Sequence, residues 1–312
     1  MEWKNRHSLI MDELESVDCD VICLQEVEVA TYEENFKIPL GERGYEGVLQ
    51  ETNGHVVGVA TFFKRSKFSL TFSESRSRAL LIGLTFFLPL NLESESLSLE
   101  GTDEEEMTKI QMQIGNVHLE GHISESVKRF SQIKSLLKRC EVRLNGGKNP
   151  NQNRKQKQNQ KNQTEEPIEK LEDLLFICGD FNGSNSSGVH HLLQKGFLHP
   201  EFQENEAQVT ETTFTHPFKL MDTHLEFEKE NKEETFSYCR DYLCDKIDFI
   251  FAPATQMKTL GILCMKKLEA ANIKSTYLPN HFHPSDHLPV AALLEFTPGF
   301  IEFIKRKNVV ES

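Results

Sequence analysis

The chain has 312 residues, 38% of them hydrophobic, and its formal net charge at pH 7 is -13. This length suits one large α/β domain or two small ones. The acidic balance argues against a module that holds nucleic acid by charge alone, because such a module would be basic. It is compatible with a metal enzyme, since a bound cation offsets the charge of nearby carboxylates.

The seven cysteines include no C-x-x-C pair, and their odd number argues against a zinc ribbon or a disulfide framework. Cys23 and Cys178 lie in apolar runs, so we predict buried, reduced thiols and a reducing compartment, cytoplasmic or alternatively nuclear. The N-terminal residues show no signal-peptide pattern. The most apolar stretch, 79–92, is too short to span a bilayer, so we expect no stable membrane insertion.

The first part of the chain is predicted to form two helices and five strands. Apolar periodicity predicts an amphipathic helix over 6–17, a strand over 21–24 and a second helix over 31–40. Runs of β-branched and aromatic residues predict four further strands, which cover 45–50, 55–64, 68–72 and 79–87.

Polar segments interrupt the rest of the chain. The acidic segment 93–106 is predicted to be a solvated loop. The segment 145–164 is predicted to be disordered, because it cannot bury enough apolar surface to offset its ordering entropy. Its basic residues could contact RNA, but a surface insert is the favoured interpretation. The remaining predicted elements are a strand over 110–119, a helix over 126–140, a strand over 174–179, a helix over 188–195 and strands over 246–251 and 288–296.

The order of these elements indicates the class of fold. Many strands in two groups, with helices between them, favour two packed sheets covered by helices over a doubly wound parallel sheet. We predict one domain over 1–298 with polar inserts at 93–108 and 145–170, followed by a tail over 299–312.

Polar side chains adjoin four of the predicted apolar strands. They are Glu26, Asp180 with Asn182, Asp248, and Asp286 with His287. A carboxylate beside a core strand is costly unless it is paired, hydrogen-bonded or bound to metal. One such group alone would ordinarily be a turn or cap residue, but four of them favour convergence at one edge of the sheets.

The chemistry of these groups points to phosphoryl hydrolysis. Carboxylate oxygens favour Mg²⁺ or Mn²⁺ over zinc. A histidine beside them can exchange protons near neutral pH. A cation offsets phosphate charge, a base or orienting group positions water, and further donors stabilise the transition state.

Five short motifs resemble those of the endonuclease/exonuclease/phosphatase superfamily, in its order. They are CLQE at 23–26, NVHL at 116–119, GDFNGS at 179–184, KIDFIF at 246–251 and SDHLPV at 285–290. Together with WKNR at 3–6, and with Arg129 and Gln132, they are most similar to the CCR4-type branch, which contains deadenylases, nocturnin-like enzymes and Angel proteins. The resemblance covers about residues 3–296 and implies a DNase I-like, four-layer α/β/β/α fold.

The resemblance also implies the ligands of the metal and of the phosphate. Glu26 would be the principal Mg²⁺ (or Mn²⁺) ligand, and Asp286 a second carboxylate on the metal side. His118 would bind a phosphate oxygen. The less favoured alternatives are that His118 is a histidine satisfied at a strand end and that Asp286 is a helix or turn cap.

Catalytic roles follow for four further residues. Asp180 would orient or deprotonate the attacking water, and Asn182 would hold water or phosphate. Asp248 would bond to His287 and fix its tautomer. His287 would contact the scissile phosphate as base or as charge stabiliser, so the identity of the base, Asp180 or His287, stays open.

The sequence departs from the family pattern in two places. The family begins with a strand ending in a metal-holding Asn, upstream of the helix at which this sequence starts, and Asn5 lies inside that helix. Either the chain is incomplete or the protein is impaired, and an incomplete gene model is favoured. In addition, CCR4-type deadenylases stack adenine on an aromatic residue near the position of Leu243, so a preference for adenine is not expected.

Three functions therefore compete. The first is an RNA 3′-exonuclease or nucleotide phosphodiesterase, whose partner is RNA or another phosphodiester. The second is a lipid or inositol phosphate phosphatase, or a sphingomyelinase-like hydrolase, on the same scaffold. The third is a binding protein without catalysis, as the absence of the N-terminal Asn would allow.

Overall fold

The structure is a computed structural model, and it describes residues 2–51, 54–89, 107–144, 174–231, 235–241, 243–264 and 267–311. The predicted insert at 145–170 lies outside these ranges, as does the insert at 93–108 except for its last two residues. Those two residues, Met107 and Thr108, begin a long strand, so the polar segment ends earlier than predicted.

Up to residue 118, the described residues form one long helix, a short one and six strands, besides a 3-10 and a π turn. The helices are α1 (Trp3–Val17) and α2 (Ile38–Glu42). The strands are β1 (Val21–Glu28), β2 (Tyr45–Leu49), β3 (Val57–Lys64), β4 (Ser69–Arg76), β5 (Ala79–Pro89) and β6 (Met107–His118).

The segment predicted as a regular helix over 31–40 is irregular. It consists of a 3-10 turn (Val29–Thr31), a π turn (Glu33–Lys37) and the single α-helical turn of α2. Pro39 stands near the start of α2, where its missing N–H cannot extend the hydrogen-bond ladder from the preceding turn.

The described residues after 118 form the remaining elements. The helices are α3 (Ser126–Leu144), α4 (Gly188–Lys195), α5 (Leu225–Asn231), α6 (Lys267–Thr276) and α7 (Pro298–Glu311). The longer strands are β7 (Leu174–Asp180), β15 (Asp248–Pro253), β16 (Met257–Ile262) and β17 (Ala292–Phe296). The short strands are β8 (Phe197–Leu198), β9 (Gln203–Glu204), β10 (Ala207–Gln208), β11 (Phe214–Thr215), β12 (Leu220–Asp222), β13 (Tyr238–Arg240) and β14 (Leu243–Asp245).

Two sheets form the centre of the molecule. The larger has six strands in the order β12-β15-β7-β6-β5-β4, and the smaller has three in the order β1-β3-β2. In the larger sheet only β6 and β7 run parallel, and α3 makes the crossover between them. Strand β1 pairs with β3 on one side, and β17 pairs with β16.

The apolar residues form three layers of core around these sheets. Residues of β3, β5, β6 and β7 fill the space between the two sheets, with Val59, Phe63 and Leu80 among the buried ones. The opposite face of the larger sheet packs against α3 and α4, and the opposite face of the smaller sheet packs against α1. The predicted α/β/β/α arrangement of two packed sheets covered by helices is therefore confirmed.

The C-terminal part differs from the prediction in two respects. The last strand begins at Ala292 rather than at residue 288, because the intervening residues carry Pro289, which cannot donate to a ladder. Residues 299–311, predicted as a tail, belong to α7, and its Phe300 and Ile304 are buried against the core between the sheets. The packed domain thus extends beyond residue 298.

The cysteines fall into two groups. Cys23 of β1 and Cys178 of β7 are free thiols, as predicted, but they are only partly buried, and their Sγ atoms lie 3.2 Å apart between the sheets. Cys239 and Cys244 form a disulfide across the β13–β14 hairpin, which the sequence analysis did not predict. Separately, among the described residues no helix combines the length and the apolar character that crossing a bilayer requires.

Candidate active site

Three of the singled-out residues lie side by side at the ends of neighbouring strands in the larger sheet. His118 ends β6 and Asp180 ends β7, and the two are direct neighbours in the parallel pair. Asp248 begins β15 and stands opposite Asp180 in the antiparallel pair. Because adjacent strands are about 5 Å apart, this register alone assembles the three side chains.

A tight turn fixes Asp180 and Asn182 against each other. The backbone N–H of Asn182 donates to Oδ1 of Asp180 at 2.7 Å, and its side-chain Nδ2 donates to Oδ2 at 3.1 Å. Asn182 has a φ of 48°, which asparagine tolerates better than most residues. Just before Asp180, Gly179 has a φ of 132°, and a Cβ there would overlap the carbonyl oxygen of Val117.

His287 reaches the same edge from a distant part of the chain. Its Nδ1 lies 2.8 Å from Oδ2 of Asp248, which is the contact expected from the sequence. Its Nε2 lies 3.9 Å from Oδ2 of Asp180. Tyr238 pairs with His287 through an isolated bridge and places its ring at 5.1 Å, edge to face.

Glu26 approaches from the smaller sheet. The β1–β3 register shifts between Leu24 and Val27, so Glu26 sits in a bulge with a φ of 55°. Its Oε1 lies 3.8 Å from Nε2 of His118, and the same Nε2 lies 3.6 Å from Oδ2 of Asp180. The Glu26 side chain is 73% exposed, so it faces the opening of the site rather than its floor.

Asp286 is not brought into this group. Its Oδ2 lies 3.3 Å from Nη1 of Arg240 on the β13–β14 hairpin. The carboxylate of Asp286, which the resemblance placed on the metal side, therefore pairs with a surface arginine in this structure. Neither Arg240 nor Tyr238 was singled out as part of the catalytic group by the sequence analysis, because no local pattern connects a short hairpin to the SDH motif.

Burial and like charge perturb the titration of these groups. Burial and the neighbouring charge of Asp248 raise the pKa of Asp180 to about 7. Burial alone would lower the pKa of His287, but the hydrogen bond and charge of Asp248 raise it to about 9. Burial lowers the pKa of His118. The neighbouring carboxylates thus favour positive charge on His287, whereas burial disfavours it on His118.

The donor set fits a divalent cation. One ligand atom each from Asp180, Asp248 and His287 can be chosen so that all three lie within 4.8 Å of one another. Two of these groups are carboxylates that are almost fully buried beside each other, an arrangement that a cation would stabilise. Glu26 adds a third carboxylate on the open side.

The chain belongs to the Endonuclease/Exonuclease/phosphatase family, since the sequence profile of that family matches residues 1–287. The enzyme class expected from the sequence, a hydrolase acting on phosphodiester bonds, agrees with that membership. The resemblance to the CCR4, nocturnin and Angel branch is confirmed by the relatives described next.

Curated relatives match over nearly all of the chain. The Ccr4 3′-5′-exoribonuclease subunit of the CCR4-Not complex from Candida albicans is 24% identical over 319 residues, which cover 96% of this chain and 38% of that protein. The CCR4-NOT transcription complex subunit 6-like of Danio rerio is 25% identical over 355 residues, which cover 96% of this chain and 58% of that protein. The chain therefore spans only about half the length of such relatives.

Solved structures of similar fold include two from the same branch. ANGEL2, a 2′,3′-cyclic phosphatase solved with adenosine-2′,3′-vanadate, has a TM-score of 0.66 at 20% identity, covering 93% of this chain and 86% of that one. The human Nocturnin catalytic domain with bound sulfate has a TM-score of 0.58 at 17% identity, covering 95% and 88%. At these identities the likeness establishes the shared fold.

Proposed function

We propose that this chain is a Mg²⁺-dependent phosphodiesterase that acts on RNA, as a 3′-exonuclease or a nucleotide phosphodiesterase of CCR4 type. The observation that carries the proposal is the meeting of Asp180, Asp248 and His287 at one sheet edge, with His118 and Glu26 beside them. The exoribonuclease names of the curated relatives support RNA as the substrate class. The cytoplasm, with the nucleus as the alternative, stays the predicted location, and no protein partner is proposed.

Carboxylate oxygens would hold the cation. We assign Glu26 as the principal ligand, because its exposed carboxylate can meet a hydrated ion and a substrate phosphate together. When bound, Mg²⁺ would offset the negative charge of the phosphate. Because Asp286 contacts Arg240, we assign it the role of holding that arginine at the rim of the site rather than that of a metal ligand. Mn²⁺ would serve the same donor set.

Hydrogen bonds determine which groups of the site carry protons. The carboxylate of Asp248 accepts from His287, so Nδ1 of His287 carries a proton and Nε2 faces Asp180. With its raised pKa, His287 is the better donor to a phosphate oxygen, and Asp180 the better group to orient and deprotonate water. Asn182 holds Asp180 in place, and His118 offers a further contact to phosphate.

A cleavage assay tests this proposal. The full chain is incubated with Mg²⁺ and with labelled oligo(A), RNA of mixed sequence and a phosphoinositide, each with and without EDTA. We expect RNA cleavage that EDTA abolishes, and a loss of about 10²–10⁴-fold in kcat for Asp180→Asn and for His287→Gln. Asp12→Asn on the exposed face of α1 is the matched control and should keep full activity.

The other outcomes separate the competing functions. Hydrolysis of the lipid alone would replace RNA by a lipid phosphate as substrate. Failure to cleave any of the three substrates in a folded protein would favour a binding protein. RNA cleavage that survives both substitutions would show that the site lies elsewhere.

A further inference from the structure

Arg129 is a buried arginine whose donors point at backbone rather than at substrate. The side chain lies on α3 and is 2% exposed. Nη1 donates to the carbonyl oxygens of Glu120 at 3.2 Å and His122 at 2.8 Å, and Nη2 donates to that of Ile123 at 3.2 Å. One guanidinium therefore gathers three carbonyls of a single loop, which we call the 120–123 loop.

This loop follows His118 after one residue, Leu119, and packs against Asn182. Within the connection, the carbonyl of Leu119 accepts from Nδ2 of Asn182 at 2.9 Å, and the N–H of Leu119 donates to the carbonyl of Asp180 at 2.9 Å. A Cβ on Gly121 would lie 3.6 Å from the Asn182 amide, so the loop backbone packs against that side chain. The position of the Asn182 amide therefore depends on the path of the 120–123 loop.

The other side of Arg129 borders the catalytic turn. A Cβ on Gly183 would lie 3.5 Å from its Nε, which has no hydrogen-bond partner among the described residues. Nη2 also donates to Oε1 of Glu204 at 2.7 Å, and Oε2 of Glu204 accepts from the N–H of Gly188 at 2.7 Å. The Arg129–Glu204 pair thus connects the 120–123 loop to the start of α4, just after the turn.

Stability alone does not account for such a pair. A buried ion pair contributes little net free energy, because desolvation of the two charges offsets their attraction. What the planar guanidinium supplies is geometry, since its fork of donors holds several acceptors in fixed directions. That geometry here converges on the backbone around Asn182.

We propose that Arg129, held by Glu204, is a positioning residue that sets the Asn182 amide for the reaction at Asp180. The proposal rests on the proposed phosphodiesterase function, to which it adds a positioning role for Arg129. Arg129 acts through the 120–123 loop and Asn182, and it touches neither substrate nor metal.

A double-mutant cycle tests the assignment with the full chain, Mg²⁺ and an RNA oligonucleotide. Arg129→Lys keeps a buried cation but lacks the fork, so we expect kcat to fall about 10–100-fold while KM stays within about twofold. Since Arg129 acts through Asn182, the double variant Arg129→Lys/Asn182→Ala should be no slower than Asn182→Ala alone. Losses that multiply in the double variant, or a folded Arg129→Lys with native kcat, would overturn the assignment.

Two further measurements keep the test decisive. Glu204→Gln preserves the shape of the partner and should reproduce the kcat loss at unchanged KM, whereas Arg139→Lys, which changes an arginine of α3 that pairs with Glu74, should not. Hydrogen exchange does not depend on activity. Even if the wild-type chain cleaves no RNA, Arg129→Lys should accelerate amide exchange over 119–123 and 181–183, and unchanged exchange there would contradict the positioning role.

Discussion

The side-chain Nε2 of Gln25 in β1 donates to Oδ1 of Asn116 in β6 at 2.8 Å, and this hydrogen bond joins the two sheets directly beneath the site. Asn116 is fully buried, and its Nδ2 donates back to the smaller sheet, at the carbonyls of Ala60 at 2.9 Å and Leu24 at 3.2 Å. The bulge that carries Glu26 is therefore tied to the strand that carries His118.

The first prediction concerns this bridge. Asn116→Leu fills a similar volume but leaves the Gln25 amide and the Leu24 carbonyl without their buried partner. We expect the free energy of unfolding to fall by about 1–3 kcal/mol in urea denaturation. Asn272→Ala, on the exposed face of α6, is the control and should change it little. An Asn116→Leu protein as stable as wild type would mean that the bridge does not hold the sheets.

The second prediction concerns the backbone before Asp180. Gly179→Ala places a methyl group against the Val117 carbonyl and in a φ that alanine rarely adopts. We expect a loss of roughly 2 kcal/mol or more in thermal unfolding, together with loss of cleavage. Gly261→Ala meets nothing within 4 Å and should be tolerated. Equal effects of the two substitutions would contradict the close approach of β6 and β7.

The third prediction uses the raised pKa of Asp180. A carboxyl whose folded pKa, about 7, exceeds its unfolded value binds its proton more tightly when folded, so its stabilising effect is lost as pH rises toward 7. In EDTA at pH 8, Asp180→Asn should therefore be more stable than wild type, by about 2–4 kcal/mol.

Metal should offset that difference. Free Mg²⁺ at 100 times its Kd stabilises a folded site by about 2.7 kcal/mol. We expect this rise for wild type and a much smaller one for Asp180→Asn, measured by thermal unfolding with Asp12→Asn as control. Equal Mg²⁺ shifts in all three proteins would show that Asp180 does not contribute to holding the cation.

The fourth prediction concerns the Asp248–His287 contact. Asp248 is the largest source of the raised His287 pKa, the charges of Asp180 and Asp286 add to it, and burial opposes it, so Asp248→Asn should lower that pKa below about 9. NMR titration of the His287 imidazole in the metal-free protein measures the change. The same substitution should reduce kcat about 10²-fold or more, since the tautomer is no longer held. An unchanged titration would show that another group controls His287.

The fifth prediction is a pH dependence of stability away from the site. Burial, and then the charge of Lys246, lower the pKa of His224 to about 4. Its folded value thus lies below the unfolded value of about 6.5, so unfolding takes up a proton and stability falls as pH drops from about 6.5 to 4. The full effect is on the order of 3 kcal/mol.

His224→Asn isolates this contribution. The asparagine amide can keep a contact with Thr223 Oγ1, which lies 3.0 Å from Nδ1 of His224, but it does not titrate. The free energy of unfolding of the variant should therefore depend less on pH between 4 and 6.5 than that of wild type. Parallel curves for the two proteins would show that the pKa of His224 is the same in the folded and the unfolded state.

Local patterns were sufficient for most of the architecture. The apolar runs of β1, β7 and β15 and the amphipathic faces of α1 and α3 each follow from short-range periodicity, which a sequence displays directly. Polar groups beside four apolar strands, together with the family resemblance, predicted that Asp180, Asp248 and His287 would meet, and their ligand atoms lie within 4.8 Å of one another. The π turn after Thr31 and the packing of α7 were missed, because both depend on contacts with distant residues.

The sequence by itself determined most of the longer strands, their grouping into two covered sheets and the chemical types of the site residues, since these follow from side-chain pattern along the chain. Only the tertiary structure decided where each group points. The bulge turns Glu26 to the open side of the site. Asp286 pairs with Arg240, and Arg129 donates hydrogen bonds to the loop beside Asn182. Such choices depend on register, burial and partners dozens of residues away, which no local pattern records.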